Sequence, residues 1–151
     1  MERATAWGQK PDFEKKFADL EAVTQIDPNH VVAWNRKAWL RATCPDAKHR
    51  NGQQAVEYAT KACELTAGRS AREGLARPRV EYATKACELT AWKKPGYLDT
   101  LSAAYAEAGD FAKAVEWQQK GMDLAPADQK ADYESRLKLY RDNKPFRQTA
   151  K

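Results

Sequence analysis

Long apolar runs are missing from this chain. The longest span only a few residues, as in Val31 to Trp34, far short of the roughly 20 needed to cross a bilayer. The opening MERATAWGQK sets no basic stretch ahead of an apolar one, so neither a membrane span nor a secretion signal is expected. Glycine and proline number only seven each in 151 residues, which argues against a disordered or low-complexity chain. Cysteine is scarce and odd in number, with Cys44, Cys63 and Cys87; this favours free thiols in a reducing, cytoplasmic setting over a disulfide framework. No charge of one sign dominates, because 26 basic and 21 acidic residues are mostly interspersed. The densest basic stretches do not interleave aromatics with Lys and Arg as single-strand binders do, so no nucleic-acid partner is expected.

Catalytic signatures are missing too. The sequence has no Gly-x-Ser-x-Gly, no glycine-rich phosphate loop and no His-Glu-x-x-His, and its carboxylates mostly alternate with Lys and Arg along helices. The two histidines, His30 and His49, share no Cys or carboxylate at ligand spacing from both. Cys44, Asp46 and His49 form one local cluster of metal-ligating types, which turn chemistry around Pro45 accounts for. The expectation is a protein that is not an enzyme and has no cofactor or metal.

What is present is helical periodicity almost throughout. Apolar residues at i, i+4 and i+7 predict a helix over about 12–26, stopped by Asp27-Pro28-Asn29. A second follows over about 30–42 and must stop by Thr43, because Cys44 precedes Pro45. A polar loop leads to a third over about 53–66. Lys94-Pro95-Gly96 reads as a turn, followed by helices over about 97–108 and 111–124 joined at Gly109-Asp110. A last helix covers about 127–142. No period-2 alternation of useful length occurs, so the fold class is all-α, with essentially no β-strand. A chain of this length buries roughly 70% of the surface it would expose unfolded, enough for one domain over 1–151.

The most unusual feature is an internal identity. Val56 to Ala67, VEYATKACELTA, recurs unchanged as Val80 to Ala91, so the chain contains a duplicated helix. Between the copies lies GRSAREGLARPR, in which Ser70 and Glu73 stand at capping-box spacing and predict the start of a short helix reaching about Ala76.

Leu98, Leu101, Ser102 and Tyr105, then Gly109-Asp110-Phe111, Ala114 and Pro126, together make this stretch resemble a tetratricopeptide repeat, a helical hairpin of about 34 residues that stacks into a superhelix. Gly121 departs mildly from the usual alanine. Trp34, Ala38, Ala55, Ala59, Ala62 and Leu65 align as an earlier repeat, with a longer interhelix loop and Ala67 in place of the closing proline. The wording is similar to repeats common in planctomycete bacteria, which often trail kinase or β-propeller domains. The resemblance implies antiparallel helical hairpins stacked as a short superhelix: an N-terminal helix over 12–28, a first repeat over 30–67, an inserted linker and duplicated helix over 68–91, a second repeat over 95–126, and a capping helix over 127–142. Small residues such as Ala38, Ala55, Ser102 and Ala114 are expected where paired helices approach, with Trp34, Tyr105, Phe111 and Leu124 filling space between hairpins.

By the same resemblance, the functional surface is a concave groove lined by Val32, Asn35, Arg36, Trp39 and Thr43, then Asp99, Thr100, Ala103, Ala106 and Glu107. It implies a protein or peptide partner and a role in protein–protein interaction. A carboxylate clamp does not fit, because the family's Lys and Asn positions hold Asn35 and Trp39 in one repeat and Asp99 and Ala103 in the other. Two outcomes stay open for the duplication. Either the second copy forms an extra pseudo-repeat, or one copy fills the groove of another molecule in a domain-swapped homodimer, using Val56, Tyr58, Ala59 and Cys63 or their equivalents Val80, Tyr82, Ala83 and Cys87. A regulatory module of a larger enzyme is the remaining alternative.

Overall fold

The computed structural model describes residues 13–73 and 94–148, with only the helical backbone described over 67–73. Among these residues the fold is all-helical, with six α-helices, one short 3-10 turn and no strand. α1 (Phe13–Ile26) ends at Asp27, whose carboxylate accepts the Asn29 amide at 3.0 Å. α2 (Val31–Thr43) starts at His30, whose Nδ1 accepts the Ala33 amide at 3.1 Å. That bond satisfies one of the donors a helix start leaves open. Cys44 is extended ahead of Pro45 and ends α2, as the clash with a following proline ring requires.

The loop that follows is tied down along its length. Asp46 caps the 3-10 turn Ala47–His49 through the Lys48 amide. Arg41 donates to the His49 carbonyl, and Arg50 donates to the carbonyls of Cys44 and Pro45 at 2.9 and 3.0 Å. Asn51 then caps α3 (Gly52–Glu73) through the Gln54 amide. α3 begins against the C-terminal end of α4 (Pro95–Glu107), so closely that a Cβ on Gly52 would lie 2.3 Å from the Ala108 amide nitrogen.

Pro95 opens α4 at a position where its missing N–H costs nothing. α4 is buried around most of its circumference, including Leu98, Leu101, Ala103, Ala104 and Ala106. It is the centre of the molecule, packing against α2, α3 and α5 (Phe111–Leu124). The turn into α5 needs Gly109 at a φ of 86°, and Asp110 caps α5 by accepting the Lys113 amide at 3.1 Å. α6 (Lys130–Arg141) packs on α5, with Tyr133 against Gly121. α1 closes the opposite side on α2.

Ala38, Ala55, Ser102 and Ala114 are fully buried, so paired helices do meet over small side chains. Three boundaries differ from expectation. α3 continues through Gly68 to Glu73, so Ser70 stands inside a helix and starts none; no proline intervenes before Pro78, and one glycine costs only about 1 kcal/mol in a helix. Lys94-Pro95-Gly96 is the first turn of α4, and α6 starts only at Lys130. Leu124 is half exposed and fills no space between hairpins. The second copy, with Val80, Tyr82, Ala83 and Cys87, lies outside the described residues.

Candidate functional site

An open groove of 570 Å³ lies where α1, α2, α4 and α6 converge. α2 projects Asn35, Arg36, Trp39 and Leu40 into it; α4 supplies Gly96, Asp99 and Thr100; α1 and α6 complete it with residues that include Leu20 and Arg136. The i, i+1, i+4 spacing of Asn35, Arg36 and Trp39 sets them on one face of α2. Asn35, Arg36, Trp39, Asp99 and Thr100, all expected in the groove, therefore come together.

The floor is a buried polar network. Gln118, fully buried on α5, donates through Nε2 to the Asp99 carboxylate at 3.1 Å and to the Tyr133 carbonyl at 3.2 Å. Its amide oxygen accepts the Ser102 hydroxyl. Arg136 donates to the second Asp99 oxygen at 2.7 Å. Burial pushes the Asp99 carboxyl above its ordinary value, opposed by the Arg136 charge and the Gln118 hydrogen bond. Burial likewise pushes the Tyr133 phenol up to about 12, with the nearby Asp99 adding to the effect. Tyr140 moves in the same direction, chiefly by burial.

With Asp99 and Arg136 committed to each other, Lys16, Asp19 and Arg36 are the charges left at the rim. Trp39 gives the wall an aromatic surface, with the Arg136 guanidinium 5.5 Å from its ring centre. The Asn35 amide oxygen is buried and has no hydrogen-bond partner among the described residues. This chemistry suits binding by stacking, hydrogen bonds and charge. Both Asp99 oxygens are engaged, and no group of three or more His, Cys, Asp or Glu among the described residues is placed to hold a metal.

The rest of the expected groove is elsewhere. Val32 is exposed and does not line this cavity. Thr43, Ala103 and Ala106 are buried in the body. Glu107 is held between Arg50, 3.3 Å away, and Arg147, 2.5 Å away. The last four offer no open surface, because helix packing and the segment after α6 cover them, while α2 turns Val32 outward. Sequence periodicity missed Arg136, Gly96, Lys16 and Leu20, which reach the groove from elements distant in the chain. It also missed Lys37, which is buried on α2 with its ammonium 4.6 Å from the ring centres of both Trp34 and Tyr58.

The first copy of the duplicated helix is committed within the chain. Ala59 and Cys63 are buried, Val56 and Tyr58 partly so, and the Tyr58 ring lies 5.4 Å from Trp34. Among the described residues no helix is long and apolar enough to cross a membrane. Among the described residues the protein is thus a set of packed helices that carries a polar-floored groove. No protein-family model, curated protein or solved structure matches the chain.

Proposed function

We propose that this chain is a non-enzymatic protein–protein interaction module of the tetratricopeptide type, which holds an extended peptide in the groove between α1, α2, α4 and α6. One observation supports this above the others: the Asn35 side chain and the Trp39 ring stand one helical turn apart on the same wall. An amide beside an aromatic face matches the alternating main-chain and side-chain demands of a bound peptide. A cytoplasmic setting fits the buried thiol of Cys44.

The test is selection of displayed peptides on the whole chain, followed by calorimetry on wild type and on Arg36→Glu. Arg36 is exposed at the rim, so its reversal leaves folding intact. Selected peptides are expected to lose at least tenfold in affinity for the variant at unchanged Tm. Recovery of no binder, or of binders indifferent to Arg36→Glu and Asn35→Ala, refutes the reading.

The duplication favours a second reading, self-association. Among the described residues the first copy packs against α2 and α4, so an identical second copy using the same contacts would find them on another molecule. Light scattering over a hundredfold concentration range decides it, since a strict monomer eliminates the swapped dimer.

A further inference from the structure

Residues 144–148 fold back across the body after α6. Asn143 takes a left-handed φ of 55°, and the Lys144 amide donates to the Leu139 carbonyl at 2.9 Å, reversing the chain. The Phe146 ring then lies 5.9 Å from that of Trp39, with the Arg136 guanidinium 5.0 Å from its centre. Arg147 pairs with Glu107 at 2.5 Å and donates to the Ala42 carbonyl at 3.4 Å. Gln148 donates its backbone N–H to the Thr43 carbonyl at 3.0 Å.

These contacts have the composition of a peptide complex. The acceptors at Ala42 and Thr43 are last-turn carbonyls that α2 cannot satisfy internally, so they recognise backbone and guanidinium donors without regard to sequence. Trp39 and Arg136 form an aromatic slot, in which ring and cation are mutually attractive. Glu107 adds a charge-specific anchor for arginine. Trp39 and Arg136 also line the open groove, so the covered and open parts are continuous.

We propose that the tail occupies in cis one end of the peptide groove, and that the partner is an extended segment with an aromatic residue followed by arginine, which competes with the tail for that place. This rests on the peptide-binding reading and names the ligand class. A tethered segment competes at an effective concentration on the order of millimolar, so an external peptide engages the site only when its own contacts are better or when it extends into the open groove.

The experiment uses the full 151-residue chain and a fluorescein-labelled peptide, KPFRQTAK, read by anisotropy. The double variant Phe146→Ala/Arg147→Glu, checked for folding by circular dichroism, is expected to bind the peptide at least tenfold more tightly than wild type. Peptides with alanine for the phenylalanine, or glutamate for the arginine, are expected to lose tenfold or more. Should the double variant not fold, amide exchange on wild type gives the answer: millimolar peptide must accelerate exchange at Gln148. A folded variant that leaves the anisotropy flat, or a Gln148 amide indifferent to the peptide, overturns the proposal. If selected peptides still bind in the Arg36-dependent manner, this proposal alone falls; if neither they nor the tail peptide bind, both fall.

Discussion

Arg136 and Asp99 form an ion pair at 2.7 Å with both side chains largely withdrawn from water, joining α6 to α4. Removal of one partner from such a pair costs about 3 kcal/mol, because the other charge stays buried alone. Arg136→Met is therefore expected to lower the unfolding free energy measured in urea by that much, whereas Asp99→Leu/Arg136→Met recovers a good part of it. A double variant no better than Arg136→Met would show that the pair is not coupled.

The same pair sets a pH dependence. Because the folded carboxyl of Asp99 sits above its ordinary value of 3.8, the folded state holds the proton longer than the unfolded state. The stability contributed by this group is then fully present below pH 3.8 and is lost as pH rises through the elevated value. Denaturation followed from pH 3.5 upward is expected to show this negative component in wild type and not in Asp99→Asn. The two curves should therefore differ in slope as well as in level, and parallel curves would contradict the assignment.

Gly52 and Gly96 make opposite predictions. A methyl at Gly52 meets backbone atoms of Glu107 and Ala108 within 2.6 Å, so Gly52→Ala should destabilise by about 2 kcal/mol despite the better helix propensity of alanine. At Gly96, in the first turn of α4, a methyl meets nothing within 4 Å, and Gly96→Ala should be neutral or stabilising by about 0.5 kcal/mol. Thermal unfolding of the two variants checks the sign of each.

Lys37 is 3% exposed, yet its ammonium reaches the Glu21 carboxylate at 2.7 Å and lies over the Trp34 and Tyr58 rings. Much of what it contributes is its stem filling space between α1, α2 and α3. Lys37→Ala is expected to cost about 2 kcal/mol, and Lys37→Met less than half of that, since Glu21 is half exposed and rehydrates. Equal losses in the two variants would mean that the charge matters more than the volume.

Local chemistry made much of this fold legible. α5 runs from Phe111 to Leu124 as periodicity required, bounded by Gly109-Asp110 and Pro126. α2 stops ahead of Cys44-Pro45 for the reason that proline imposes. Alanines at spaced positions marked the places where helices touch. Illegible features depend on partners far apart in the chain. Gln118 gives no hint in its own helix that Asp99, Ser102 and Tyr133 converge on it, and a polar residue at that position reads as solvent-facing. Groove positions assigned from a repeat pattern assume an uncovered face, so Thr43, Ala106 and Glu107 were misplaced by a tail the pattern does not contain. The extension of α3 beyond Thr66 reflects the weakness of one glycine as a helix stop.

The contact of Arg147 with Ala42 spans 105 residues of sequence. The main helix contacts otherwise run between described elements one or two apart in order, so the two ends could come loose separately. A clasp from beyond the last helix to the second one makes the ends depend on each other. Formation of this closure requires every intervening helix to be in place, so it belongs to the late side of the folding barrier. Weakening it should speed unfolding while leaving the folding rate nearly unchanged.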